Sequence, residues 1–565
     1  MVNSLKDDIF NRTKVVATFG PACDSKDMME KMVDNGVTCF RLNTAHSTPD
    51  ELKKLVEFRD RISQEKKQYV SIMVDLKGPE LRAILTSENL NLEAGKEFTL
   101  GEKDTDSTIK IAVPGVIKTL KVGDRILFMD GKINTEVVKE GESQCLIRTS
   151  VSMSLKNNGR MNIPGKYIPM GILQPRDLEY LKMAVQLSVE YVALSFVQNM
   201  DEIDQVHDMI EEMNGTCRII AKIETKQALD NLEGIIQSSD ALMVARGDLG
   251  VEMPLFEVVI SQKDIMRKSH QYGVPTIVAT QMLESMVDED IPTRAEISDI
   301  TNAILDNADC LMLSEESAIG KFPLQAVSTL RETARAVESL HTNYSEPDMF
   351  KGSRITYSVS RSARLLSEDA EAHHIIVLTR TGNTARMVSS VRPDTRIIAV
   401  TPDKHVASTI NLYRGIAPFL LENFSKSTTI NDVISVLAQS GVVKKGERLV
   451  IVSGHPEHPF TGASQVSLIT AGSFVARGYA SGNSISGKIN QSKDGIFFGD
   501  MERFNEISKE GVSFRGYIFL GSVTRQALKS LMASGCTCIS NTILLQNLED
   551  GDEVFIDTEI GSVYK

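Results

Sequence analysis

The 565-residue chain lacks the marks of several large protein classes. It has only seven cysteines, at positions 23, 39, 145, 217, 310, 536 and 538, and no C-x-x-C pair. An odd, scattered set argues against a zinc site or a disulfide framework and for free thiols in a reducing cytosol. Cys536 and Cys538 are expected to pack as small hydrophobes. No apolar run approaches the ~20 residues of a membrane span. Cations are not in excess: 62 Lys and Arg face 75 Asp and Glu, a net charge of −13. This argues against a nucleic-acid partner but leaves room for an anion in a locally basic pocket. The first residues, "MVNSLKDDIFNRTK", have no apolar h-region, so no secretory signal is expected and the expected location is cytoplasmic. Internal repeats and low-complexity segments are absent.

What the chain does contain is alternation. Short apolar, β-branched runs at 14–20, 39–44, 70–77, 191–197, 218–224, 241–248, 276–282 and 310–316 are separated mostly by amphipathic helical patterns such as "DELKKLVEFRDRI" and "DEIDQVHDMIEEM". Eight such runs predict parallel strands covered by helices, closed as a (β/α)8 barrel over 1–85 and 169–345. One connection is far longer than the rest. Residues 86–168 read as a small β-barrel domain inserted into a βα loop at the C-terminal face, placed to act as a lid. A second alternation over 346–471 predicts a separate α/β domain. Residues 472–493, rich in Gly and Ser, read as a linker, and 494–565 as a small extra domain.

The expected strand ends carry unusual residues: Arg41 and Asn43, Asp75 and Lys77, Ser195, Lys222 and Glu224, Arg246 and Asp248, Thr280 and Gln281, then Ser314, Glu315 and Glu316. In a parallel barrel these ends share one face. So many buried polar groups are costly unless paired or bound to a metal, which points to function at that face. Glu224 and Asp248 offer hard oxygen ligands without His or Cys, which suits Mg²⁺ or Mn²⁺. Arg41, Lys77 and Lys222 add positive charge, and Gly247 allows close backbone approach. A metal among clustered cations meets the needs of phosphoryl transfer. Arg246 is read as a salt bridge that orients a neighbour, with direct substrate contact as the alternative. In the α/β domain, "TRTGNTAR" follows a strand and opens a helix. Thr379, Arg380, Thr381, Gly382, Asn383 and Thr384 there form either a phosphate cradle or a plain helix cap.

"RLNTAH", "DLKGPELR", "AKIET", "MVARGDLGVEMP", "VATQMLESM", "PTRAEISDITNAILDNADCLMLSEESAIGKFP" and "TGNTARMVSSVRP" resemble the pyruvate kinase family in order and spacing over about 12–471. The resemblance implies transfer of a phosphoryl group from phosphoenolpyruvate to ADP, giving pyruvate and ATP, the last step of glycolysis. It implies Mg²⁺ on Glu224 and Asp248, with Lys222 and Arg41 on the phosphoryl group. Ser195 joins the substrate-binding set. The amides near Gly247 and Asp248, with Thr280, hold the carboxylate, and Thr280 also helps deliver a proton. Pro21, His46 and Arg82 border the nucleotide. Asn43 and Asp75 remain of the family's K⁺ ligands. Ala45 and Leu76 replace two others, while Glu80 is typical of K⁺-dependent members, so K⁺ is expected to be at most helpful. Arg160 stands near the place of a missing lid lysine, and Glu315 replaces a usual glycine. The family's effector region favours a phosphorylated activator at 379–384, and the match over 350–471 implies a homotetramer. The last segment is similar to the end of a phosphohistidine-type domain but contains no histidine, so a structural or interaction role is expected. Two other readings differ in class: a metal-dependent lyase or aldolase acting on pyruvate-like substrates, and a non-catalytic phosphate sensor.

Overall fold

In the computed structural model, eight wholly parallel strands close into a barrel. They are β1 (Lys14–Thr18), β2 (Val37–Asn43), β3 (Ser71–Asp75), β4 (Tyr191–Leu194), β5 (Arg218–Ile223), β6 (Ala241–Ala245), β7 (Thr276–Ala279) and β8 (Cys310–Leu313). Each pairs with its neighbour in sequence, and β8 returns to β1 through Lys14 opposite Cys310. The structure describes residues 11–166, 168, 170–340, 350–425, 427–455, 458–460, 462–472, 474–490, 495–509, 513–533 and 535–565. The chain divides into two compact units, one of Val2–Arg361 and Thr379–Glu422, the other built mainly from Ser362–Leu378 and Asn423–Lys565.

The barrel strands are buried on both faces, most of them at every residue. Val16, Cys39, Met73, Tyr191, Ile220, Met243, Ile277, Cys310 and Met312 fill the interior. The alternate residues, Val15, Phe40, Val74, Val192, Ile219, Val244, Val278 and Leu311, pack in the larger core that includes the surrounding helices. Helices Pro49–Lys66 and Arg294–Leu305 start with capping boxes, Thr48 with Glu51 and Thr293 with Glu296.

The inserted region is a seven-stranded sheet in the order Leu81–Ala83, Gly159–Asn162, Arg125–Phe128, Ile133–Lys139, Gln144–Thr149, Glu97–Glu102, Ile109–Ile111. A bridge between Ile84 and Lys110, 2.8 and 2.9 Å, joins its two ends and curls it into a small barrel. The sheet begins at Leu81, ahead of the boundary expected at 86.

In the first unit, Arg396–Thr401 and Ile416–Leu420 are parallel. In the second, His374–Leu378 runs parallel to Arg448–Ser453, which pairs antiparallel with Gln465–Thr470. The second unit also holds a mixed seven-stranded sheet with helices Met501–Ser508 and Arg525–Ala533. The expected linker at 472–493 is corrected here. Phe474–Ser481 and Ile485–Lys488 are strands of that sheet. Gly478 is small because a Cβ there would come within 2.5 Å of the Ser540 carbonyl, and Gly482 turns the chain at φ +95°. Glycine at these places serves close strand approach and not flexibility. No described helix is long and apolar enough to cross a membrane.

Candidate active site

Barrel closure gathers the strand ends around Lys222. Its Nζ donates to Ser195 Oγ at 2.7 Å and lies 3.2 Å from Asp75 Oδ1 and 2.9 Å from Glu224 Oε1. Burial alone would lower the lysine pKa, but Asp75, Glu224 and Asp248 overcome it, and the ammonium is held more firmly charged than usual. Asp75 Oδ2 accepts from Arg41 Nε at 2.7 Å, and Arg41 Nη1 donates to Thr18 Oγ1 at 3.1 Å. Burial would raise the Asp75 pKa, yet Lys222 and Arg41 hold it below the ordinary range. Ser195 Oγ in turn donates to the Leu76 carbonyl at 2.7 Å.

Glu224, just past the end of β5, and Asp248, in the first turn of the short helix Arg246–Glu252 that follows β6, form a carboxylate pair; the strand expected to run to 248 ends at Ala245. The Glu224 pKa is pushed up, first by burial and also by Asp248, against the pull of Lys222. Its Oε2 accepts from the Phe196 N–H at 2.8 Å. Its Oε1 is buried and, apart from its charge pairing with Lys222, has no well-aligned hydrogen-bond donor. Asp248 Oδ1 accepts from Arg160 Nη2 of the lid at 2.7 Å. Burial opposes ionisation of Asp248, but Arg160 and Lys222 keep its pKa low. The fit to Mg²⁺ or Mn²⁺ is good: two hard carboxylates converge, one with an oxygen short of a donor. No cluster of three His, Cys, Asp or Glu that could hold a metal occurs among the described residues. Such an ion takes its other ligands from substrate and water.

Arg246 has the structural part expected of it. Nη1 binds Asp299 Oδ2 at 2.6 Å, and Nη2 donates to the Thr280 and Gln281 carbonyls at 2.6 and 3.3 Å. Thr280 Oγ1 accepts from the Gly247 N–H at 2.9 Å. Beyond its own helix turn, the nearest atom to a Cβ on Gly247 would be Thr280 Oγ1 at 3.5 Å, so packing against other elements does not require glycine there.

Other expected residues stand apart from this network. Pro21 and His46 are exposed in turns after β1 and β2. Arg82 lies in the first lid strand, paired with Glu80, and donates to the Asn158 carbonyl at 2.9 Å. Lys77 pairs with Glu80 at 3.2 Å. Asn43 Oδ1 accepts from the Ala45 N–H at 3.2 Å. Since Asp75 already holds two cations, the donor set for K⁺ fits poorly. Glu316 is structural: its oxygens take the N–H groups of Leu283 and Ser314, while Glu315 is exposed. In the 379–384 turn, Thr379 is buried and its Oγ1 accepts from Gly382 N–H at 2.9 Å, with Gly382 at φ +85°. Arg218 donates to the Thr381 carbonyl. Helix Asn383–Ser390 starts without a side-chain cap, with Thr384 buried and Arg380, Thr381 and Asn383 exposed. Sequence reasoning missed Thr18, Phe196 and Asp299. No local signal marks them, because each acts through a partner on another element.

A parallel barrel whose mouth joins a carboxylate pair to clustered cations is built for chemistry on an anionic substrate, and phosphoryl transfer is one class it suits. The pyruvate kinase barrel-domain model matches residues 10–327 and the pyruvate kinase alpha/beta-domain model matches 357–466. The chain belongs to the pyruvate kinase family. It is 40% identical to a pyruvate kinase of Thermoplasma acidophilum over 553 residues, 98% of each chain. It is 37% identical to one of Thermotoga maritima over 79% of this chain and 96% of that one. A crystal structure of a pyruvate kinase from Cryptosporidium parvum superposes with a TM-score of 0.76 at 28% identity, covering 83% of this chain and 98% of that one.

Proposed function

We propose that the barrel mouth transfers the phosphoryl group of phosphoenolpyruvate to ADP. The observation that carries this reading is Lys222, fixed against Ser195, Asp75 and Glu224 beside the carboxylate pair. Mg²⁺ or Mn²⁺, held by Glu224 and Asp248, supplies charge neutralisation when bound. Lys222 and Arg41 neutralise the phosphoryl oxygens while the ester P–O bond breaks and a new one forms to the terminal phosphate of ADP. The electron pair of the broken bond stays on the enolate oxygen. The amides of Gly247 and Asp248 orient the substrate carboxylate, and Thr280 helps deliver the proton, through water, to C3. Pro21, His46 and Arg82 border the nucleotide. K⁺ at Asn43 and Asp75 is at most helpful.

The 379–384 turn takes a phosphorylated activator, a reading supported by its uncapped helix start. The enzyme works in the cytoplasm as a homotetramer. Leu255, Phe256, Val259 and Ile260 support self-association, since all are more than half exposed on one helix. The extra C-terminal domain is a structural or interaction module. The direct test is pyruvate formation from phosphoenolpyruvate in a coupled assay with Mg²⁺, with and without ADP. Pyruvate that forms equally without ADP, or none with it, overturns the proposal and brings forward the lyase or sensor readings.

A further inference from the structure

The lid joins the barrel by two connections, and the loop after β4 touches both. The outgoing connection starts at Leu76, whose carbonyl accepts from Ser195 Oγ at 2.7 Å. Gly78, at φ +69°, lies so close to this loop that a Cβ there would come within 2.9 Å of the Ser195 carbonyl oxygen. The returning connection is met three residues further along the loop. Gln198 Nε2 donates to the Ile168 carbonyl at 3.1 Å, and Gln198 Oε1 accepts from the Ile168 N–H at 3.4 Å. The side-chain amide pairs with the backbone of Ile168 as a neighbouring strand would.

Gln198 is buried, and its own backbone is fixed on both sides. Its N–H donates to Glu202 Oε2 at 2.7 Å, and its carbonyl accepts from Asn231 Nδ2 at 2.9 Å. Between the two lid contacts, the Phe196 N–H holds Glu224 and Val197 packs in the barrel core. Ser195 accepts from Lys222. One short loop therefore holds both connections of the lid and two charged groups of the mouth. Three residues of chain span at most about 11 Å, so the two anchors lie close together, beside Lys222. An inserted domain held at both connections keeps mainly a rotation about the line that joins them.

We propose that Gln198 is a positioning residue for the lid. It pins the returning connection, so that the loop 195–198 sets the axis on which the lid closes over the mouth. The lid carries Arg82, which borders the nucleotide in the reading above. A loose returning connection therefore weakens ADP-dependent transfer without disturbing the metal ligands. The proposal rests on the phosphoryl-transfer reading above.

The test uses the full chain with Gln198→Met, which keeps the length of the side chain and removes both bonds. Hydrogen–deuterium exchange in peptides containing Ile168 should speed up about tenfold or more, while peptides covering β4 and β5 stay as in wild type. In steady state, kcat falls and the KM for ADP rises together, and kcat/KM drops about tenfold. The Kd for Mn²⁺, titrated without substrates and read by electron paramagnetic resonance, stays within about twofold of wild type. A Kd for Mn²⁺ that rises in step with the loss of rate means that Gln198 acts on Glu224 through Phe196, and overturns the lid role. Unchanged exchange at Ile168, or a kcat/KM within about twofold of wild type, also overturns it. If Gln198→Met does not fold, Gln198→Glu decides by the same three measurements, because it keeps the size and sets a charged oxygen against the Ile168 carbonyl. Failure of the underlying reading is distinguishable, because wild type would then form no pyruvate while exchange at Ile168 still reports on Gln198.

Discussion

Thr280 and Gln281 close β7 with φ of +67° and +53°, a left-handed pair that costs about 1–3 kcal/mol per residue without glycine. Arg246 offsets this by donating to both carbonyls while anchored on Asp299. Arg246→Ala should therefore lower kcat about 100-fold by misplacing Thr280 and lower stability by about 2 kcal/mol. Steady-state rates and urea melts check this, and a kcat within about threefold of wild type counts against a positioning role. Lys222→Met should lower phosphoryl transfer by about 3–4 kcal/mol or more yet spare proton exchange at C3 of pyruvate. Retention of more than about a tenth of wild-type turnover, a loss under ~1.4 kcal/mol, contradicts the role given to Lys222. Asp75 is held by Arg41 and Lys222, so activity should persist in buffers free of K⁺ and NH₄⁺. Complete loss of rate there would mean that a monovalent ion binds despite the two resident cations.

Among the elements, helix Asn383–Ser390 is the one with an open N-terminus at a proposed effector site. Arg218, which grips the loop before it at Thr381, also begins β5, the strand that leads to Lys222 and Glu224. A ligand on this loop can alter the barrel only by binding two states unequally. Thr384→Glu places a carboxylate where the phosphate is proposed to sit. The variant should keep basal activity and lose activation by every phosphorylated effector tried. Full activation would move the effector elsewhere and leave this turn as a helix cap.

For the whole molecule, one acid-side contribution to stability comes from His270. Its Nε2 lies 2.7 Å from Arg392 Nη2 and 3.1 Å from the Asn307 carbonyl, and Arg392 is paired with Asp309. Burial, then Arg392, holds its pKa down from 6.5 to about 3, against the opposing pull of Asp309 and the Asn307 carbonyl. Between those values the unfolded chain binds a proton that the folded chain refuses. Its contribution is thus complete above about pH 6.5 and is lost, by at most ~1.4 kcal/mol per pH unit, as pH falls toward 3. Urea melts at pH 5, 6 and 7 should show a steeper acid-side loss for wild type than for His270→Gln. Equal slopes would mean that His270 is not held neutral.

The eight barrel strands were legible because each is a short apolar run buried on both faces, and such runs need no knowledge of their partners. The side shared by Lys222 and Glu224 was legible too, since strand periodicity alone assigns it. The run at 472–493 was misread because a glycine that lets two strands approach looks, in sequence, like a glycine that loosens a linker. Which charges meet was decided only by tertiary structure. Arg246 finds Asp299 across 53 positions and Arg160 finds Asp248 across 88. Periodicity assigns a side chain to a face, but barrel closure and the placement of the lid choose what stands opposite, and charge attraction then selects among the groups within reach.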